Sequence, residues 1–250
     1  MKPIRALLAG LAVICSGEAL ALGGLADLTV YDRTEARRLP VYWHQGRAYV
    51  VGKPGNEYQI ALRSRLGEDV LAVVSVDGVN VITGETANPA QSGYVLGARA
   101  SLDIQGWRKS LAQTAAFYFT SLSDSYAART GRPDDVGVIG AAFYRRKQEP
   151  QPIGRFAPGA PSARREAAAD AAAGARAAEA ESRLGTGHGR QETSYAEYVA
   201  FERATSTPAE VVTLYYDSYR NLVARGVIRE PVAVPPWPRP FPGFVPDPRG

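Results

Sequence analysis

From residue 41 to residue 147, apolar positions recur every second residue or in short unbroken runs, separated by turn-forming residues. A period of two places side chains alternately on the two faces of a strand, so this stretch predicts a series of short β-strands. Val41 to His44 and Arg47 to Val51, joined by Gln45-Gly46, read as a hairpin. Glu57 to Ser64 alternates around Tyr58, Ile60 and Leu62 and ends at Leu66-Gly67-Glu68. Val70 to Val76 is apolar at nearly every position, the mark of a central strand covered on both faces. Asp77-Gly78 then gives the strongest two-residue hairpin signal, with Val79 to Thr83 returning from it. Gly93 to Leu96, Ser101 to Ile104, Ala115 to Thr120 and Val136 to Arg145 complete the strand set. One helical turn, capped by Asp124-Ser125 and stopped at Gly131, interrupts it.

Residues 148 to 191 lose this periodicity. Gln148 to Pro161 is rich in proline and glycine, and Ser162 to Arg183 is alanine with scattered charges and no large apolar residue to dock. A flexible linker over 148–191 is the expectation. Ser194 to Ala204 and Glu210 to Asp217 then read as two strands joined across Thr205 to Pro208. Ser218 caps a short helix that stops at Gly226. This piece, 192–230, is too small to fold alone and should complete the core begun by 22–147. The fold class expected is mainly β: an antiparallel β-sandwich or barrel-like domain with one or two short helices. From Pro231 to Gly250 eight prolines surround Trp237, Phe241 and Phe244, a Pro-rich tail favouring extended backbone.

Composition changes the picture mainly at the N-terminus. Lys2 and Arg5, an apolar stretch from Ala6 to Ile14, and Ala19-Leu20-Ala21 have the form of a secretory signal peptide cleaved after Ala21. The expected setting is therefore the periplasm or the exterior. The only cysteine is Cys15 and the only methionine Met1, so the chain beyond Ala21 has no thiol for disulfides, metal ligation or nucleophilic attack. The net charge of +4 lacks the dense basic stripe of a nucleic-acid binder. His44 and His188 are the only histidines and lie in different predicted segments; neither a metal site nor a cofactor is expected.

The candidate chemistry is sparse. The catalytic candidates are Asp77, Glu85 and His188: Asp77 with Glu85 could form a carboxylate pair of the kind glycosidases use, although the hairpin alone accounts for Asp77. Leu184 to Gly189 carries Gly185, Gly187 and Gly189 at alternate positions beside His188. Such a string either holds an anion on its amides or lets the chain re-enter closely against another backbone. Trp107 and Arg108, followed by Lys109, offer an aromatic face beside cations, unless Trp107 fills the core.

Several strings are also distinctive together: Val70 to Ala87, Gly106 to Ser110, Ser125 to Pro133, Leu184 to Gly189 and Phe201 to Thr205. They resemble those of a family of signal-peptide-bearing proteobacterial proteins with no established activity. The resemblance implies a Gram-negative envelope setting and carries over no catalytic role. The sequence thus points to a non-enzymatic envelope module binding a protein or glycan partner, without nucleic acid or a membrane span in the mature chain. The alternative is a carboxylate-dependent hydrolase acting on envelope glycans.

Overall fold

A computed structural model describes residues 22–148 and 183–229. The signal peptide expected over 1–21, most of the expected linker and the Pro-rich tail over 231–250 lie outside the described residues. Two seven-stranded sheets pack face to face as a sandwich, without closing into a barrel. The first contains β1 (Ala26–Asp32), β2 (Arg37–Arg38), β5 (Glu57–Ser64), β9 (Ser101–Ile104), β10 (Gly106–Arg108), β11 (Gln113–Ser121) and β13 (Leu184–Thr193). The second contains β3 (Tyr42–His44), β4 (Arg47–Val51), β6 (Val70–Val76), β7 (Val79–Asn80), β8 (Tyr94–Leu96), β12 (Val138–Arg145) and β14 (Glu210–Asp217). Two short helices, α1 (Tyr126–Arg129) and α2 (Tyr219–Ala224), are capped by the hydroxyls of Ser125 and Ser218. Among the described residues no helix is long and apolar enough to cross a membrane.

Alternation builds the core. Leu28 and Val30 of β1 and Tyr58, Ile60 and Leu62 of β5 face Val74, Val76, Ile139 and Leu214 of the second sheet, all buried. Burial of each such side chain stabilises the fold by roughly 1.5–3 kcal/mol. β6 is covered on both faces, as its unbroken apolar run predicts. Its outward residues Leu71 and Val73 join Tyr144 and Phe201 in a second cluster. The guanidinium groups of Arg146 and Arg203 lie over Phe201 and Tyr144, 4.8 and 4.2 Å from the ring centroids. α2 covers the other end of this outer face, with Leu222, Val227 and Ile228 against Tyr49.

Four expectations need correction. Residues 184–193 form a strand, β13, where a linker end was expected; it pairs with β11 along its length. Ser194 to Ala204 is not a strand: Tyr195 and Tyr198 are 85% and 91% exposed, and the segment touches the first sheet only through isolated bonds such as Ala196 N–H to the Leu111 carbonyl. Its aromatic residues, Tyr195, Tyr198 and Phe201, repeat every third position, which matches neither face of a strand. The strand after Asp77-Gly78 stops at Asn80, because the Asn80 side chain accepts the amides of Ile82 and Thr83 and turns the chain. Finally, β14 pairs with β12 antiparallel but with β4 parallel, the one parallel ladder in the two sheets. β1 was absent from the expectation, although Ala26, Leu28, Val30 and Asp32 alternate without a fault.

Candidate functional site

The most unusual group in the interior is Asp77. The two-residue turn between β6 and β7 needs left-handed backbone at both positions, and Asp77 and Gly78 supply it with φ of 52° and 70°. Aspartate at such a turn is normally solvated, yet here the side chain is fully buried. Oδ1 accepts hydrogen bonds from the Tyr216 hydroxyl at 2.5 Å and the Gly137 amide at 2.9 Å, and Oδ2 accepts from the Thr186 amide at 2.8 Å. The Thr186 hydroxyl lies 2.7 Å from both the Tyr216 and the Tyr58 hydroxyls.

A carboxylate can only accept, and this fixes the direction of the chain. Tyr216 donates to Asp77, Thr186 donates to Tyr216, and Tyr58 donates to Thr186, so every hydroxyl is satisfied in one sense. Tyr58 belongs to the first sheet and Tyr216 to the second, so the chain stitches the two sheets together through β13. Desolvation outweighs these bonds and pushes the Asp77 carboxyl up to about 6. Burial, reinforced by the Asp77 charge, holds both tyrosines well above the ordinary phenol range, so they act as neutral donors.

A cleft of about 230 Å³ opens beside this centre, lined by Asp135, Gly137, Arg183, Tyr215, Asp217 and Arg225 among others. Gly137 forms part of its floor with φ of 95°, and a Cβ there would come within 3.2 Å of the Tyr216 carbonyl. The turn carrying Asp77 backs the cleft: a Cβ on Gly78 would fall 2.8 Å from that of Asp135. Asp217 is held by the Ser218 amide at 2.8 Å and the Asn221 side chain at 2.7 Å, with Arg225 3.6 Å away. Asp135 and Arg183, by contrast, make no ion pair or side-chain hydrogen bond among the described residues. Opposite charges therefore face one small, partly enclosed space.

The remaining candidates fall elsewhere. Glu85 is exposed on the turn after β7 and accepts from Gln91 Nε2 at 3.2 Å, so nothing joins it to buried Asp77 as a catalytic pair. Trp107 is buried, donates from Nε1 to the Gly187 carbonyl at 3.1 Å, and meets Phe117 edge-on at 5.1 Å. Arg108 points away from Trp107, to the Tyr94 hydroxyl at 3.2 Å and the Ser194 carbonyl at 2.5 Å.

The glycine string is not an anion loop. The Thr186 amide turns away from β11 to Asp77, so the flanking Gly185 and Gly187 amides face β11 and enter its ladder. These glycines permit close approach instead. A Cβ on Gly187 would lie 2.2 Å from the Tyr118 ring, one on Gly185 2.6 Å from Ser125 Cβ, and one on Gly189 2.8 Å from the Ala116 carbonyl. His188 is exposed at the end of this stretch, with its ring 5.7 Å from that of Tyr126. Partial burial, and after it the Lys109 charge, lowers its basicity.

The site thus rests on Thr186, Tyr58, Tyr216 and Gly137, none of which the sequence analysis singled out. Each looks like an ordinary strand residue; the one available signal is a threonine inside an alternating glycine run. Among the described residues no group of three histidine, cysteine or acidic side chains is placed to hold a metal. Comparison with protein-family models, curated proteins and solved structures gave no match.

Proposed function

We propose that the protein is an exported, non-enzymatic β-sandwich module of the Gram-negative envelope that binds a glycan or protein partner at the cleft beside Asp77. One observation carries this reading: both oxygens of the Asp77 carboxylate are engaged by donors of its own chain. A general acid or base must reach the substrate proton, and a glycosidase needs two carboxyl groups across a bond. Asp77 is enclosed and Glu85 stands on an exposed turn, so the hydrolytic alternative lacks its pair. The Asp77 centre reads instead as a scaffold that fixes Gly137 and Thr186, and with them the cleft wall. Asp135 and Arg183 at the rim suit a polar ligand carrying both hydrogen-bond donors and acceptors. The envelope setting is supported by the N-terminal sequence and the family resemblance.

The test uses the protein without its first 21 residues and insoluble envelope glycan from a Gram-negative cell. The expected result is co-sedimentation that Asp135→Asn and Arg183→Ala weaken, with no soluble fragments released. Release of reducing ends that Glu85→Gln abolishes would replace the binding reading with the hydrolytic one.

A further inference from the structure

A second feature lies outside the cleft. The rings of Trp107, Tyr126 and His188 form a row from the core to the surface, with centroids 4.8 and 5.7 Å apart. Trp107 is buried at one end and His188 is exposed at the other. α1 supplies Tyr126 and ends in Arg129, and Lys109 follows directly on β10. Lys109 and Arg129 are exposed, and among the described residues neither makes an ion pair or side-chain hydrogen bond. Both lie close enough to His188 to disfavour its protonation.

The surrounding charges sharpen the contrast. On β13 itself Arg190 is paired with Glu57 and Glu192, and Arg33 holds Glu192 through two bonds of 2.8 Å. On β11 the residue opposite His188 is Phe117, which carries no charge. The groups facing His188 are therefore Tyr126 and Arg129 from α1 and Lys109 from the turn after β10. Two cations and a protonatable ring share one surface, and among the described residues no carboxylate pairs with either cation.

We infer that this surface is an oxyanion site, taking a phosphate group at Lys109, Arg129 and His188. Two fixed positive charges and a third available on proton uptake match a phosphate better than a single carboxylate. The half-buried Tyr126 ring, backed by buried Trp107, lies against the imidazole and restricts its side-chain freedom before binding. A bound anion also reverses the local field, and phosphate and proton then bind His188 cooperatively.

The chain has only two histidines, which makes the readout clean. Histidine ring signals of the protein lacking its first 21 residues are followed by NMR during addition of inorganic phosphate between pH 6 and 8. Sodium chloride of equal ionic strength is the reference. The expected result is a saturable shift of His188, with its titration midpoint raised, while His44 is unmoved. The doubly substituted Lys109→Ala/Arg129→Ala protein should keep the remaining spectrum and bind at least about tenfold more weakly. Shifts that chloride reproduces, or unchanged binding by the double variant, would overturn the site.

A parallel arm measures sedimentation with vesicles of phosphatidylglycerol or phosphatidylcholine. A phosphate response together with binding to phosphatidylglycerol supports a lipid headgroup as the source. A phosphate response without vesicle binding supports a soluble phosphate ester. Vesicle binding without a phosphate response would overturn the site in favour of diffuse surface charge.

Discussion

Asp77 shows how one residue can serve a turn and a core at once. Its backbone satisfies the hairpin, and its side chain accepts two amides and a hydroxyl that would otherwise be buried without partners. The turn is legible in the sequence as Asp-Gly after an apolar run. The buried carboxylate is not, because its donors come from residues up to 139 positions away. Replacing Asp77 with asparagine turns an amide donor toward the Thr186 or Gly137 N–H, and a loss of about 1–3 kcal/mol is expected in urea denaturation.

The pH dependence follows from the same group. Its folded value of about 6 exceeds the ordinary 3.8, so the folded state binds the proton more tightly than the unfolded chain. The stabilisation is complete below pH 3.8 and disappears as pH rises through about 6. Between pH 5 and pH 8 this amounts to about 1.4 kcal/mol favouring the lower pH. Denaturation of the wild type and Asp77→Asn at both values should show that increment only in the wild type. An equal slope in the two proteins would remove Asp77 as its source. Thr186→Val tests the chain from its centre: it leaves the Tyr216 and Tyr58 hydroxyls each short of a partner, and a loss of about 1–3 kcal/mol is expected.

Among the elements, β13 departs furthest from its expected form. Strand signals rely on side chains, and β13 has glycine at three alternate positions, so the information sits in the partner strand. Tyr118 lies directly opposite Gly187 in the ladder and covers the space a side chain would fill. Gly187→Ala should therefore cost about 1–3 kcal/mol through displacement of Tyr118. In the Gly187→Ala/Tyr118→Ala double variant the added cost of the alanine should largely vanish, as measured by a double-mutant cycle. Full additivity would show that Tyr118 is not what requires glycine. β5 and β6 were legible for the opposite reason, since their own alternation or unbroken apolar run reports the layers around them.

At the scale of the whole molecule, β14 occupies the middle of the second sheet, between β4 and β12. It contributes buried Val212, Leu214 and Tyr216 to the core. A fragment ending at Lys147 thus lacks both β13 and β14, leaving β4 and β12 without the strand that joins them. Such a fragment is expected to lack cooperative thermal unfolding and to show the narrow amide dispersion of an unfolded chain. A stable monomeric fragment would mean that the first part forms a sheet of its own. Strands such as β5, β6, β12 and β14 were readable from periodicity, whereas β1 and β13 were missed and 194–204 was mistaken for a strand; partner choice was not readable, because Ala48 and Leu214 become neighbours across a long separation that no local pattern encodes.

The late arrival of β14 also places the folding reaction in time. The strand that makes the second sheet continuous lies near the C-terminal end of the described chain, so the N-terminal part emerging from the ribosome has no complete sheet in which to settle. The second sheet is expected to stay incomplete until β14, the last strand among the described residues, is available, and then to close by long-range pairing, the slow kind of step. The position of one strand thereby makes the whole sandwich, rather than its N-terminal part, the unit that closes.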